Sequence, residues 1–219
     1  MLDTLSIYLG LTPLAVYLML IGMMNISRRP FIVSGVRDLA VVLLAISGLI
    51  VVGPMELFFP VNASWQWGIY VWFYLLILYA LVVCLVLLGQ RPRLSIYSVT
   101  ISELRPVLSN LAMELDETAR WAGDALSLPK LGVQFYLESN PKLSHVSLIS
   151  YGLQQSTEGW RILQNALTRA LNQSKNVEHK RSLGIFFFLA GLFLFVLLHG
   201  MVWYDSVGFL QAIPNFLRI

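Results

Sequence analysis

Four apolar runs, each of about twenty residues, constrain the fold of this chain more than any other feature. They cover residues 5–24, 39–59, 67–88 and 184–204, and Glu56 is the only Asp, Glu, Lys or Arg in them. A hydrocarbon core about 30 Å thick is crossed by about 20 helical residues, since each residue adds about 1.5 Å. Each run is apolar on all faces, which favours a membrane span over a surface helix. The sequence therefore predicts four transmembrane helices.

The charged residues are concentrated in one stretch of the chain. They make up 12% of the residues, whereas soluble domains carry about 25%. Of these charged residues, 11 basic and 8 acidic ones lie between positions 90 and 182. This distribution excludes a wholly soluble protein and a disordered chain, and the single Cys84 excludes an intrachain disulfide framework. We predict three spans in residues 1–89, a polar domain in residues 90–182, and a fourth span with an interfacial tail in residues 183–219.

The charges beside the spans predict their orientation. The basic residues on one side of the spans are Arg28, Arg29, Arg37, Arg91, Arg93, Lys175, Lys180 and Arg181. On the other side lie Asp3, Glu56 and Asp205. By the positive-inside rule the basic side is cytoplasmic, where these residues also contact the headgroups of the lipid bilayer. We expect a plasma-membrane protein, of the bacterial inner-membrane type, with both termini outside and residues 90–182 in the cytoplasm.

The polar stretch predicts a small α/β domain of two layers. Alternating residues predict strands at 94–99, 125–128, 131–138 and 145–151. The capping-box spacing of Thr100 and Glu103 predicts the start of a helix that ends near Gly123. A second helix is predicted from about Thr157. The order β-α-β-β-β-α, with strands that are apolar on one side, predicts a sheet covered on one face by two helices.

Three carboxylates near the end of the first of these helices suggest a catalytic interpretation. Glu114, Asp116 and Glu117 lie close together in the sequence, and general acid–base catalysis uses paired carboxyl groups. Arg120, however, follows Asp116 by four residues, which is the spacing of a surface ion pair on a helix. We therefore expect a solvated helix face at this place.

Two ionisable residues lie within the predicted spans. Glu56 and His199 are both near the outer ends of their spans, so one hypothesis is that they pair and act together in function. The alternative is an interfacial carboxylate that reaches water and a neutral histidine that is hydrogen-bonded to a neighbouring helix. Neither residue is near the membrane centre, which favours the alternative.

The sequence lacks the short motifs that mark common catalytic and cofactor sites. It contains no glycine-rich phosphate loop, no zinc or redox cysteine motif and no nucleophile elbow. We therefore predict no catalytic residue, no cofactor and no metal site. Basic and acidic residues are mixed in the polar domain without a basic stripe, so we expect no nucleic-acid partner.

These features leave three hypotheses for function. The first is a non-enzymatic scaffold or complex subunit, whose cytoplasmic domain binds a membrane or cytoplasmic protein or a second copy of the chain. Trp121, Tyr136 and Tyr151 are its candidate contacts, because aromatic residues are enriched at interfaces; alternatively they complete the core of the domain. The second hypothesis is a small oligomeric transporter or channel, and the third is a membrane-bound enzyme.

Overall fold

The chain divides into two compact units that do not follow the order of the sequence. The computed structural model describes residues 3–26, 31–97, 99–140, 145–152, 155–173 and 182–217. The helical unit comprises Met1–Met23, Leu39–Gly89 and Ile185–Ile219. The sheet unit comprises Met24–Asp38 and Gln90–Gly184. The sheet unit therefore includes the connection between the first two spans, which the predicted domain of residues 90–182 left out.

The elements of the two units are interleaved along the chain. The helices are α1 (Thr4–Ile26), α2 (Gly35–Ile50), α3 (Val61–Trp67), α4 (Tyr70–Leu88), α5 (Ile101–Leu115), α6 (Thr157–Gln173), α7 (Ser182–Tyr204) and α8 (Ser206–Leu217). The strands are β1 (Phe31–Ser34), β2 (Arg93–Tyr97), β3 (Arg120–Ala122), β4 (Ala125–Leu128), β5 (Val133–Asn140) and β6 (His145–Ser150). Strand β1 ends at Ser34 and α2 begins at the next residue, so no linker separates the two elements.

Among the described residues, four helices are long and apolar enough to cross a membrane: α1, α2, α4 and α7. They correspond to the four predicted spans, and their length and composition are compatible with an integral membrane protein. Helix α2 is continued by a π-helical turn, Val51–Met55, that contains Pro54. Proline has no backbone N–H to donate, and a π-helical turn accommodates this loss within an otherwise continuous helix.

Small residues bring α1 and α7 into close contact. A Cβ atom at Gly191 of α7 would lie 2.7 Å from the backbone nitrogen of Met19 and 2.9 Å from the carbonyl oxygen of Ala15, both on α1. A Cβ atom at Gly22 of α1 would overlap the backbone of Phe188 on α7. Membrane helices gain most of their association energy from such close packing, because lipid is as apolar as their side chains. These glycines therefore set the distance between α1 and α7.

Helix α8 forms the predicted tail beyond the fourth span. Its Phe216 ring stacks on Trp72 of α4 with a centroid distance of 4.9 Å, and its Phe209 ring lies 5.6 Å from that of Tyr8 on α1. With 12 residues, α8 is about 18 Å long, too short to cross a bilayer. The tail is thus a helix with defined aromatic contacts to two of the apolar helices.

The sheet unit contains two strands that the sequence did not predict. Within the described residues the sheet is antiparallel and six-stranded, in the order β1-β2-β6-β5-β4-β3. The predicted order β-α-β-β-β-α is therefore corrected to β-β-α-β-β-β-β-α by adding β1 and β3. Both strands are short, with four and three residues, so neither shows a recognisable alternation.

Helices α5 and α6 pack on one face of the sheet, as the one-sided apolar pattern of the strands predicts. The core combines fully buried strand residues such as Ile96 and Phe135 with fully buried helix residues such as Leu104 and Leu163. Helix α5 begins where it was predicted, since the backbone N–H of Thr100 donates to Glu103 at 2.9 Å. The sheet and its two helices therefore form a two-layer unit with a continuous apolar core.

The predicted helical ion pair between Asp116 and Arg120 is wrong. Helix α5 ends at Leu115, and Arg120 belongs to β3. The Asp116 side chain is 1% exposed and accepts hydrogen bonds from the backbone N–H groups of Thr118 and Lys130, each at 2.8 Å. Burial raises the pKa of the Asp116 carboxyl, but the hydrogen bonds from Thr118 and Lys130 and the Lys130 charge outweigh it, so the pKa lies below its usual value. Asp116 therefore joins two turns of the sheet unit.

We expect Gly191→Ala to destabilise the helical unit, because the added methyl group overlaps the backbone of α1. Overpacked sites of this kind cost about 1–3 kcal/mol. The free energy of unfolding of the full chain in detergent measures the effect. Gly200→Ala is the matched control, since Gly200 lies on the same helix and a Cβ there meets nothing within 4 Å. Equal losses in both variants would contradict the packing explanation.

Candidate functional site on the open face of the sheet

Polar side chains gather on the face of the sheet opposite α5 and α6, called here the open face. Neighbouring side chains of a strand point to opposite faces. Leu94 and Ile96 of β2 enter the core, so the residues that alternate with them reach the open face. Together with Asp38 of α2 and two residues of β6, they form the polar cluster: Asp38, Arg93, Ser95, Tyr97, His145 and Ser147.

The strand register places four members of the polar cluster in two cross-strand pairs. Tyr97 pairs with His145, and Ser95 pairs with Ser147 on the neighbouring strand. Ser95 is 0% exposed and Ser147 is 6% exposed, so the middle of the polar cluster is closed to solvent. Buried hydroxyl groups need hydrogen-bond partners, and the cluster supplies them.

The carboxylate of Asp38 is the centre of the polar cluster. It accepts a hydrogen bond from the Tyr97 hydroxyl at 2.8 Å and one from the Ser95 hydroxyl at 3.5 Å. It also accepts one from Nη2 of Arg93 at 3.4 Å. Asp38 lies in the first turn of α2, where a negative charge is favoured by the helix dipole. Three side chains of β2 thus hold the first turn of α2 against the sheet.

Arg93 runs directly over Gly35, where β1 passes into α2. A Cβ atom at Gly35 would overlap the side chain of Arg93, so only glycine permits this path. The Nε atom of Arg93 is buried, and no hydrogen-bond partner for it occurs within the described residues. Arg93 is therefore held by the contact of Nη2 with Asp38 and by its packing over Gly35.

His145 packs against the aromatic ring of Tyr97. The two ring centroids are 4.7 Å apart, and Nε2 of His145 lies 3.4 Å from the hydroxyl oxygen of Ser147. Burial lowers the pKa of His145, the charges of Asp38 and Glu138 raise it and the charge of Arg93 lowers it, and the result lies below the usual histidine value. His145 is therefore neutral near pH 7 and gains a proton only in acid.

The geometry of the polar cluster is that of a hydrogen-bonded junction. Ser147 is buried, so its hydroxyl is not presented to a substrate. Asp38 accepts from Tyr97 and Ser95 on β2, and these bonds fasten α2 to the strand. Within the described residues no group of three or more His, Cys, Asp or Glu is placed to hold a metal ion. Comparison with protein-family models, with curated proteins and with solved structures finds no match to this chain.

The structure places His199 against α1. Its Nε2 atom lies 3.4 Å from the hydroxyl oxygen of Tyr8, and its Nδ1 atom lies 2.9 Å from the carbonyl oxygen of Phe195. Glu56 directly follows the π-helical turn of α2. No hydrogen bond or ion pair joins Glu56 to His199 in the part of the chain that the structure describes.

The three aromatic candidates for partner contacts have different surroundings. Trp121 is half-buried against the core of the sheet unit, and the guanidinium of Arg105 lies 5.3 Å from its ring centroid. Tyr151 is half-buried, and its backbone N–H donates to the carbonyl of Gln134 at 3.0 Å. Tyr136 is 40% exposed and belongs to the open face, because its neighbour Phe135 enters the core. Tyr136 is therefore the most exposed of these three aromatic residues.

The basic residues predicted at the membrane surface are only partly described. Arg37 and Arg91 are exposed. Arg93, predicted to contact lipid, contacts Asp38. The other predicted positions lie outside the described residues: Arg28, Arg29, Lys175, Lys180 and Arg181.

Sequence reasoning missed the polar cluster because its members are far apart in the chain. Asp38 directly follows Arg37 in the sequence, beside the second predicted span, yet it bonds to residues 55 to 59 positions away. The alternation of Arg93, Ser95 and Tyr97 on one side of β2 is the signal that was present. This alternation marks a polar face of β2, but it does not show which residue elsewhere in the chain contacts that face.

We expect Tyr97→Phe to destabilise the sheet unit, because it removes the shortest hydrogen bond to the Asp38 carboxylate. Hydrogen bonds to charged groups contribute about 1.5–3 kcal/mol. A denaturant titration of the full chain in detergent, followed by near-ultraviolet circular dichroism, measures the loss. Tyr136→Phe removes a hydroxyl from an exposed tyrosine of the same sheet and serves as the control. If both variants unfold at the same denaturant concentration, the Asp38 junction does not stabilise the unit.

Proposed function

We propose that this protein is a non-enzymatic membrane component that presents the sheet unit to a partner protein. The four apolar helices act as the anchor. The sheet unit lies on the cytoplasmic side and binds its partner through the open face. In this proposal the polar cluster holds the start of α2 to the sheet, and the rest of the open face is available for binding.

The observation that carries the proposal is a row of apolar side chains on the open face. Ala125, Tyr136 and Ile149 lie side by side across β4, β5 and β6 in the strand register. Ala125 and Ile149 are half-buried, and Tyr136 is exposed. Aromatic side chains at the centre of an apolar patch are typical of protein interfaces. We call these three residues the apolar row.

The charge pattern near the described ends of the helices supports the cytoplasmic placement. Arg37 and Arg91 belong to the sheet unit and are exposed. Asp3 and Asp205 belong to the helical unit, and Trp203 and Tyr204 beside Asp205 are almost fully exposed. Basic residues favour the cytoplasmic side, and exposed aromatic residues favour the membrane interface.

A small oligomeric transporter or channel is the second candidate, favoured by a line of polar groups along α1. The Thr4 hydroxyl donates to Asp205 at 2.9 Å, and one turn later the hydroxyl oxygen of Tyr8 lies 3.4 Å from Nε2 of His199. Beside them is a cavity of about 470 Å³, lined by Asp3, Thr4, Asp205, Gly208, Gln211, Ala212 and Asn215.

This line of polar groups is short, so we rank a transporter or channel below the partner-binding function. It ends at Thr12, whose hydroxyl donates back to the carbonyl of Tyr8. Thr12 is about 12 Å along the helix from Thr4, less than half of a core about 30 Å thick. Ion flux into liposomes that hold the purified protein, lost in Asp205→Asn, would favour this candidate over the first.

Photo-cross-linking at the apolar row tests the partner-binding proposal. With p-benzoylphenylalanine in place of Tyr136, we expect illumination of cells to give a covalent adduct of one defined mass, because the ring at this position faces the partner. Denaturing gels and mass spectrometry identify the adduct. An adduct of twice the mass of the chain would identify the partner as a second copy.

The control for this experiment carries the same photo-reactive residue in place of Met113. Met113 is exposed on α5, which covers the opposite face of the sheet. We expect no specific adduct there. The proposal fails when position 136 gives no adduct, or when both positions give the same unspecific ladder.

Cysteine labelling tests the orientation. In a Cys84→Ser background, we expect a membrane-impermeant maleimide to label Asp3→Cys in intact cells, because this exposed position is placed outside. Met113→Cys should be labelled only after the cells are permeabilised, since the sheet unit is placed in the cytoplasm. The opposite pair of results would reverse the orientation.

A further inference from the structure

We propose that the apolar cavity between α1 and α2, called here the acyl site, binds one acyl chain of a membrane phospholipid. The acyl site lies within the helical unit and has a volume of about 330 Å³. Four of its lining residues belong to α1, and three belong to α2 and its π-helical turn. The proposal rests on the membrane placement of these helices in the proposed function, and it is independent of the partner that the sheet unit binds.

The acyl site begins where the packing of α1 against α2 loosens. The helices touch at Gly48, since a Cβ atom there would overlap the backbone of α1 and lie 2.8 Å from the carbonyl oxygen of Gly10. A Cβ atom at Gly10 would lie 3.6 Å from Cδ2 of Leu49 and 3.8 Å from Cγ2 of Val52, which is ordinary contact. A Cβ atom at Gly53 would meet none of the described atoms within 4 Å. The packing therefore loosens from Gly48 to Gly53 and leaves the cavity between the helices.

The π-helical turn Val51–Met55 supplies two of the lining residues, Val52 and Gly53. Gly53 has no side chain to occupy the space that the loose packing leaves. Single π-helical turns within α-helices are rare and occur frequently at functional sites. The acyl site thus coincides with the irregular turn of α2.

The lining of the acyl site matches a hydrocarbon chain. Six of its seven residues are glycine, leucine, isoleucine or valine, and Ser6 is the seventh. Ser6 and Gly10 are buried and form the floor, whereas Leu49 is 43% exposed and lies at the mouth. Small-molecule sites are mostly apolar and have volumes of about 300–1,000 Å³. An unfilled space deprives the side chains around it of dispersion contacts, and an inserted chain restores them.

The depth of the acyl site indicates the source of the chain. Ser6 and Leu11 of the lining are about 3 Å and about 10 Å along the helix from Thr4, where α1 begins. Since one leaflet of the hydrocarbon core is about 15 Å thick, this is the depth of lipid acyl chains at that end of α1. A helix of a second copy is about 10–12 Å across with its side chains, so it can cover the mouth without filling the cavity.

A photo-reactive phospholipid tests the acyl site. The full chain is reconstituted into phosphatidylcholine vesicles that contain a phosphatidylcholine with a diazirine on one acyl chain. After illumination, proteolysis and mass spectrometry locate the adducts. We expect them to concentrate in residues 6–11 and 49–53, above the level at Ile77 and Leu78, which are 62% and 57% exposed on α4. Adducts spread evenly over the exposed residues of the four apolar helices would show unspecific lipid contact and overturn the proposal.

Gly53→Leu fills the acyl site. We expect it to reduce the adducts in residues 6–11 to the level found on α4, because leucine occupies space that Gly53 leaves open. Gly200→Leu is the matched control, since a Cβ atom at Gly200 of α7 also meets none of the described atoms within 4 Å. We expect this control to keep the wild-type yield. An unchanged yield in Gly53→Leu, or an equal loss in both variants, would overturn the acyl site.

Gly10→Ala is a smaller change that covers the case of a misfolded Gly53→Leu. Its methyl group lies at ordinary contact distance from Leu49 and Val52, so the helix pair stays intact while the floor of the acyl site is raised. We expect a partial loss of adducts and the elution volume of the wild type in detergent. A wild-type yield in this variant would overturn the proposal even where Gly53→Leu fails to fold.

Cysteine cross-linking tests the alternative that a second copy covers the mouth. In the Cys84→Ser background, Leu49→Cys places a thiol at the mouth of the acyl site. We expect oxidation in vesicles to give no disulfide-linked dimer, because lipid occupies this position. A dimer would identify a second copy as the occupant and overturn the proposal.

The vesicle experiment also separates this proposal from the proposed function. A chain that does not float with the vesicles would overturn the membrane anchor and the acyl site together. A chain that floats and gives evenly spread adducts would overturn the acyl site alone, and cross-linking at position 136 would still test partner binding.

Discussion

The pairing of β1 with β2 is the interaction on which the organisation of the sheet unit depends. Four residues between the first two apolar helices, Phe31–Ser34, join the sheet through backbone hydrogen bonds in a fixed register with β2. Because α2 begins at the next residue, this register also determines where Asp38 meets Arg93, Ser95 and Tyr97. A slip of one residue between β1 and β2 would turn the β1 side chains to the opposite face and shift the start of α2 along β2, which would separate the carboxylate from its donors. The polar cluster is thus a consequence of strand pairing.

The two units are stabilised by different physical effects. In the helical unit, glycines such as Gly22 and Gly191 allow the backbones of α1 and α7 to come close together, which is the kind of packing by which helices associate in lipid. In the sheet unit, apolar residues of α5, α6 and the strands are removed from water in the ordinary way. In both units some polar contacts join elements that are distant in sequence, such as Tyr97 with Asp38 and Thr4 with Asp205.

Local patterns in the sequence were sufficient for the long elements. Twenty apolar residues indicate a span without further context, and the capping pair Thr100 and Glu103 marks the start of α5. Local patterns were insufficient where the same spacing fits two different environments of a residue. Asp116 has the spacing of a helical ion pair, and only the turn at Lys130 shows that it is buried. Asp38 is ordinary as a charge beside a span, and its role depends on a strand more than fifty positions away. The apolar row likewise depends on register across β4, β5 and β6.

The sheet ends on both sides in very short strands, β1 with four residues and β3 with three. An exposed sheet edge offers unpaired backbone groups to any other extended chain, and long flat edges are where aggregation begins. Edges of this length provide few hydrogen bonds for an added strand, and α2 follows β1 at once so that the edge cannot be extended in that direction. The short edges therefore limit the pairing of the sheet with extended segments of other chains.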